Sequence, residues 1–259
     1  MQKIHRFNQH NPRDIKFSSV NLRTSAIHMW PAKKHCIIDG WILRFLNPYT
    51  YRCNCIYPLK IGKMKTSVKM KICASIYQQN DYKYLFQIMP HDRYLDMLLN
   101  TSGYQKKYHT RWMAMNLGKI PRNKKIGHQC VIQLSNDWSK KRNEIGGYTQ
   151  QEAFVYQTFY QAIDVKNYPM VLSIDQSPVS CGLGIQVGNY LGIFDIRTKT
   201  EFQRQGYASI LVQALCKHAA HYGARYAQLH VAQDNIAAIQ MYHQLGFQTI
   251  CDYWFRKSA

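Results

Sequence analysis

Six consecutive residues, Gln203-Arg204-Gln205-Gly206-Tyr207-Ala208, have the composition of a phosphate-binding turn. A glycine lets the backbone approach an anion closely, and the free N–H groups of the helical turn that follows point at it. Further along, Asn235 precedes Tyr242 by seven residues, two helical turns, so both side chains fall on one helix face. His230 stands just ahead of this pair. A phosphate-bearing ligand, a polar amide and two proton-carrying side chains are thus gathered in one stretch of chain.

The surrounding pattern indicates what must position them. Residues 190–196 read as a strand leading into the turn, and residues 207–221 carry a helical stripe of Ile210, Leu211, Leu215 and Ala219 that closes at Gly223. Residues 226–231 alternate, with Ala227, Leu229 and Val231 on one face and Tyr226, Gln228 and His230 on the other. Asn235 is a natural N-cap for a helix over 236–245, Gly246 suits the position just past it, and 247–255 return as a strand. Upstream, residues 149–164 form an amphipathic helix with Ala153, Tyr156, Phe159, Tyr160 and Ile163 at helical spacing. Strands over 169–174 and 179–187 flank a turn at 175–178, and Gly188-Asn189 turns the chain again. The expected fold is a mixed α/β sheet.

The first half predicts strands over 41–45 and 51–57 about the turn Asn47-Pro48, a helix over 66–77, a strand over 84–89 and a helix over 93–99 that stops at Gly103-Tyr104. That order echoes the second half. Leu95 to Leu99 followed by Gly103-Tyr104 parallels Ile239 to Tyr242 followed by Gly246-Phe247, which suggests an internal duplication.

With 259 residues the chain can hold two domains, and 46% apolar residues argue against disorder. No apolar run reaches membrane-span length, and Met1 to Arg6 lacks the apolar segment of a secretion signal, so a soluble cytoplasmic protein without a membrane partner is expected. Eight cysteines are scattered without a Cys-x-x-Cys pair, which points to reduced thiols, Cys53 and Cys55 sharing one strand face. His218-x-x-His221 has no second ligand pair nearby, so no metal site is expected. The net charge is +20, with 23 Lys+Arg against 5 Asp+Glu through residue 128 and 11 against 9 beyond it. Two readings fit: an anionic partner such as nucleic acid, an acidic protein or a phosphorylated ligand, or simply a solvated basic surface without a recognised RNA-binding motif. Residues 118–127, with Pro121 and four Lys/Arg, look like a linker, which sets expected domains at 1–128 and 129–259.

Residues 149–257 resemble the GNAT superfamily of acyl-CoA-dependent N-acyltransferases. Two motifs carry the resemblance: the strand, turn and helix around Gln203 to Ala208, and Leu229-His230-Val231 with Asn235 and the run from Ala237 to Phe247. Trp30-Pro31-Ala32, Gly40 to Phe45 and Asn54 to Leu59 are similar to the amino-terminal half of two-domain bacterial members. In those relatives that half is GNAT-like but lacks a complete cofactor turn. Here too no such turn follows Tyr57, and aligning the Gly-aromatic stops sets Leu99 opposite Tyr242.

The resemblance implies a tandem GNAT fold and one acetyl-CoA per chain. It implies that Arg204, Gln205, Gly206, Tyr207, Ala208 and Ser209 seat the pyrophosphate. The pantetheine arm would pair like an extra strand with Ile196, Arg197 and Thr198, although relatives usually have an aliphatic residue where Thr198 stands. Asn235 would contact the pantetheine as well as cap its helix. Tyr242 would protonate the CoA thiolate, or else be an aromatic core residue. His230 would be either the general base or a polar wall, and Asp195, the only acidic residue on its strand, either a further base or a residue that simply faces solvent or pairs with a neighbour. The leading expectation is an N-acetyltransferase acting on a small-molecule or peptide amine, with few acidic residues to receive a cationic acceptor. A non-catalytic CoA-binding protein and an RNA- or ribosome-associated acetyltransferase docking through the basic half are the alternatives. Oligomeric state stays open.

Overall fold

A computed structural model describes residues 19–46, 53–120 and 130–258. The first half runs α1 (Ser19–Met29), β1 (Lys34–Ile38), β2 (Trp41–Phe45), β3 (Cys55–Pro58), α2 (Thr66–Gln79), β4 (Leu85–Ile88), α3 (Arg93–Thr101) and β5 (Gln105–Asn116). The second runs β6 (Cys130–Leu134), α4 (Trp138–Gly146), α5 (Gln150–Gln161), β7 (Asn167–Ile174), β8 (Ser177–Val187), β9 (Tyr190–Thr198), α6 (Tyr207–His221), β10 (Tyr226–Ala232), α7 (Ile236–Gln244) and β11 (Gln248–Lys257). The expected boundary at residue 128 lies outside the described residues, as does the turn Asn47-Pro48.

The eleven strands of the described residues form one sheet in the order β1-β2-β3-β4-β11-β5-β10-β9-β8-β7-β6. The order β1-β2-β3-α2-β4-α3-β5 repeats as β7-β8-β9-α6-β10-α7-β11. Pairing repeats with it: β3 with β4 and β9 with β10 are parallel, each joined by a crossover helix, whereas the other pairs are antiparallel. The two halves exchange their last strands. β11 lies between β4 and β5, and β5 pairs with β10.

Alternation along the strands divides the core into two layers. Met170 and Leu172 of β7 join Leu211, Leu215 and Ala219 of α6 on one face, whereas Val171 packs with Met29 of α1 and Trp138 and Ile145 of α4 on the other. The helix α1 crosses the junction of the halves. Its Leu22 and Ile27 pack with Tyr57, Leu85, Trp112 and Phe255. Gln228, a polar residue on a central strand, is buried because it serves this contact: its amide donates to Ser25 Oγ at 2.9 Å and accepts from Trp112 Nε1 at 3.0 Å.

Several expectations need correction. The strand expected over 51–57 begins at Cys55, and residues 51–52 lie outside the described residues. Cys53 therefore precedes the strand and packs with Leu46 and Phe159, away from Cys55, although all eight thiols are free and both of these are buried. Ser177 and Pro178 belong to β8, because the turn needs only Asp175 and Gln176, both at positive φ (48° and 67°). Helix α5 stops at Gln161, so Ile163 lies beyond it; its start at Thr149 is fixed by a capping box with Glu152.

The first half has its own entry to a crossover helix, and it is filled. Where β3 leads toward α2, the Asp39 carboxylate accepts from the N–H groups of Lys63 (2.9 Å) and Met64 (2.8 Å) and pairs with the buried Lys69 ammonium at 3.1 Å. A Cβ at Gly62, whose φ is +74°, would lie 2.2 Å from that carboxylate. An internal carboxylate thus satisfies N–H donors of the loop that leads into α2.

Candidate active site

Strands β9 and β10 run side by side only from Tyr226↔Tyr190 to Leu229↔Ile193. Beyond that point β10 stays with β5 through Ala232↔Thr110, whereas β9 stays with β8 through Thr198↔Ser180. The cause is a bulge. The β8–β9 register shifts between Cys181/Arg197 and Leu183/Phe194, and Asp195 within it has φ +50°. A bulge bends its strand and increases the local twist, so β9 leaves β10 and the sheet opens into a cleft of about 1080 Å³. Among the described residues no strand pairs with the cleft edge of residues 194–198.

The cleft collects every residue expected from the sequence: Ile196, Arg197, Thr198, Arg204, Gln205, Gly206, Tyr207, Ala208, Ser209, His230, Asn235 and Tyr242 all line it. Gly206 is the N-cap of α6 at φ +90°, ψ −1°, with no side-chain cap, so the N–H groups of Tyr207, Ala208 and Ser209 face the cleft without a protein acceptor among the described residues. A Cβ on Gly206 would meet nothing within 4 Å, so its φ and not its space demands glycine. Arg204 also has positive φ (+63°). These features fit a pyrophosphate, which needs converging N–H donors and local positive charge.

On β9, Ile196 packs against the α6 layer, and Thr198 Oγ1 lies 2.9 Å from Ser180 Oγ. The substitution of a hydroxyl for an aliphatic side chain at 198 is therefore matched by a serine on the neighbouring strand. Asn235 Oδ1 accepts from Ala238 N–H at 3.1 Å and so caps α7.

The two proton carriers approach from opposite faces of the sheet. Tyr242 belongs to the α6/α7 layer, packed edge-on against Phe247, and its hydroxyl has no hydrogen-bond partner among the described residues. Burial, reinforced by the neighbouring Cys216 thiol, pushes its pKa above the ordinary tyrosine value, so it holds its proton. His230 lies on the α1 face, stacked on Trp112 with ring centroids 5.5 Å apart and with Nδ1 3.1 Å from the Tyr253 hydroxyl.

Asp195 is committed elsewhere. It binds Arg142 Nε at 2.6 Å and Arg197 Nε at 3.1 Å, and accepts from the Tyr160 hydroxyl. Burial alone would raise its pKa, but Arg142 together with Tyr160 and Arg197 holds it below the usual carboxylate value. It is a structural anion at the bulge. Arg142 is itself fully buried, clasped between the Tyr148 and Tyr156 rings at 3.8 Å from each centroid.

Sequence reasoning missed this arginine and read Tyr156, Phe159 and Tyr160 only as positions at helical spacing in an amphipathic helix. They line the cleft with Trp30, whose ring centroid is 4.9 Å from Phe159 and 5.0 Å from Phe194. The helical stripe of α5 was visible, but not the surface it faces. Asp195 is the single carboxylate among the described lining residues.

Residues 122–247 match the model of the acetyltransferase (GNAT) family. The chain is 20% identical over 235 residues to the uncharacterized N-acetyltransferase YobR of Bacillus subtilis, covering 88% of this chain and 93% of that protein. Its fold is similar to that of a GCN5-related N-acetyltransferase from Kribbella flavida, with a TM-score of 0.73, 12% identity and coverage of 92% and 93%. It is also similar to a tandem GNAT protein from the clavulanic acid biosynthesis pathway, with a TM-score of 0.63, 12% identity and coverage of 84% and 77%. The repeated element order, the splayed strands and the uncapped glycine turn agree with these matches, and residues 122–247 belong to the GNAT acetyltransferase family.

Proposed function

We propose that this protein is an acetyl-CoA-dependent N-acetyltransferase that acetylates a primary amine and binds one cofactor per chain. The observation that carries this reading is the convergence of twelve residues, drawn from four elements and the turn before α6, on one cleft at the point where β9 leaves β10. The N–H groups of Tyr207, Ala208 and Ser209, with Arg204 and Gln205 beside Gly206, would hold the pyrophosphate. The unpaired edge of β9 at Ile196, Arg197 and Thr198 would align the pantetheine arm, with Asn235 offering its amide N–H₂ while Oδ1 caps α7. Acetyl-CoA supplies an acetyl group activated as a thioester.

In the net transfer a C–N bond forms and a C–S bond breaks, the nitrogen loses one proton and the sulfur gains one. Tyr242 Oη carries the proton that the sulfur needs, since burial keeps it protonated. In the tautomer that donates Nδ1–H to the Tyr253 hydroxyl, 3.1 Å away, His230 would have Nε2 as its basic nitrogen, suited to accept a proton from the amine. The aromatic wall of Trp30, Phe159 and Tyr160 excludes water from that side of the cleft. The test is release of free thiol from acetyl-CoA in a panel of amines, compared between the native protein and Tyr242→Phe. Binding of acetyl-CoA without thiol release from any amine would support a CoA-binding protein instead.

A further inference from the structure

The large cleft has two sides of different chemistry. Its α6/α7 side holds the glycine turn, Asn235 and Tyr242, where the cofactor would lie. Its α1 side holds His230 and five rings: Trp30 just past α1, Tyr156, Phe159 and Tyr160 of α5, and Phe194 of β9. Strand β9 serves both sides because its side chains alternate. Ile193 and Ile196 pack into the α6 layer, whereas Phe194 packs with Trp138 and Ile145 of α4 and Met29 of α1.

The rings form a continuous wall. Trp30 stands edge-on to Phe194 at 84° with centroids 5.0 Å apart, and its centroid is 4.9 Å from that of Phe159. Phe159 meets Tyr160 at 5.1 Å and 78°, and Tyr160 continues to Tyr156 at 6.3 Å. Phe159 is buried, and the other four are half-buried, so these four are the rings a ligand would touch. The charge on this side is already spent. Asp195, the single carboxylate among the described lining residues, is held by Arg142 and Arg197 and accepts from the Tyr160 hydroxyl. A polyamine would need carboxylates beyond its reacting nitrogen, and an amino sugar would need partners for its hydroxyls. A wall of rings set edge to face takes another ring with added attraction, beyond what burial alone gives an aliphatic chain.

Resting on the acetyltransferase reading above, we propose that the acceptor is an arylalkylamine, a primary amine joined by a short aliphatic chain to an aromatic ring. The ring enters from the α1 side and packs among Trp30, Tyr160 and Phe194. The nitrogen extends toward His230 and meets the thioester where β9 leaves β10. Trp30 and Phe194 then determine specificity, with no part in proton transfer.

The test is thiol release from acetyl-CoA by the full chain with phenethylamine, with cyclohexylethylamine, which keeps the size of the ring but not its π face, and with propylamine, spermidine and glucosamine. Burial of a ring predicts a kcat/KM about 10- to 100-fold higher for phenethylamine than for propylamine. Contact between rings predicts a value about 2- to 10-fold higher than for cyclohexylethylamine. In Phe194→Leu and in Trp30→Leu the preference over cyclohexylethylamine falls toward one, chiefly through KM, while calorimetric affinity for acetyl-CoA reports that each variant is folded. Turnover of any of the other four amines by the native protein that equals or exceeds that of phenethylamine would overturn this assignment and leave the acetyltransferase reading standing, as would a preference unchanged in both variants. Absence of turnover with every amine, or of acetyl-CoA binding, would overturn both.

Discussion

The Arg142 guanidinium binds Asp195 at 2.6 Å across 53 residues of sequence, and it does so at the one residue of β9 whose φ is positive. This pair, whose guanidinium is stacked between two tyrosine rings, holds the bulge that separates β9 from β10. The cleft is therefore opened by a buried ion pair, not by the ligand that would enter it. Preorganisation of this kind spares the ligand the work of parting the strands.

Removing the cation tests that relationship. Arg142→Leu leaves Asp195 buried with only the half-exposed Arg197 as a counter-ion, and stability measured by urea unfolding should fall by about 3–5 kcal/mol. Adding Asp195→Asn should restore part of the loss, because the uncompensated charge is gone. Affinity for acetyl-CoA should stay weakened in the double variant, since the bulge has lost its anchor.

Tyr242→Phe separates a proton donor from a core aromatic. The hydroxyl has no partner among the described residues, so its removal should leave the melting temperature unchanged or slightly higher. Loss of a general acid should nevertheless lower kcat by about 100-fold or more with little change in acetyl-CoA affinity. A tyrosine that serves only as a core aromatic would leave kcat unaltered, because phenylalanine keeps the ring in place.

Much of the second half was legible because its elements follow simple periodicities closed by glycines. The helix at 207–221 and the strand starting at 226 occur where the pattern indicates, and Asn235 caps its helix as expected. What remained hidden depends on long-range contacts. Helix α1 offers no apolar stripe, since Ser25 is buried on Gln228 of a strand more than 200 residues away. The exchange of β5 and β11 leaves no periodic trace, because each strand reads the same whichever neighbour it pairs with. Arg142 looked like one more basic residue until the fold brought Asp195 to it.

Asp39 makes a pH-dependent contribution. Hydrogen bonds from the Lys63 and Met64 N–H groups, aided by Lys69, lower its pKa to about 2. An unfolded carboxyl titrates near pH ~3.9, so the stabilisation is complete above that pH and is lost as pH falls through the folded value. Asp39→Asn should be less stable than the native protein at neutral pH. The difference should shrink between about pH 4 and pH 2, as followed by thermal melts across that window.

Gly206→Val places a side chain on a backbone at φ +90° and should strain the turn by about 1–3 kcal/mol. Because the added atoms meet open space, the global fold should survive while the N–H groups of Tyr207 to Ser209 shift out of alignment. A rise in the dissociation constant for acetyl-CoA of about tenfold or more, with circular dichroism unchanged, is the expected result.

Acetyl-CoA should bind once per chain, at the open anion seat of Gly206, because the Asp39 carboxylate already takes the loop N–H groups of Lys63 and Met64. Calorimetric titration of the full-length protein with acetyl-CoA tests it most directly. One molecule bound per chain, with the affinity lost in Gly206→Val and retained in Asp39→Asn, is the predicted result. Two molecules per chain, no binding, or binding indifferent to Gly206→Val would contradict it.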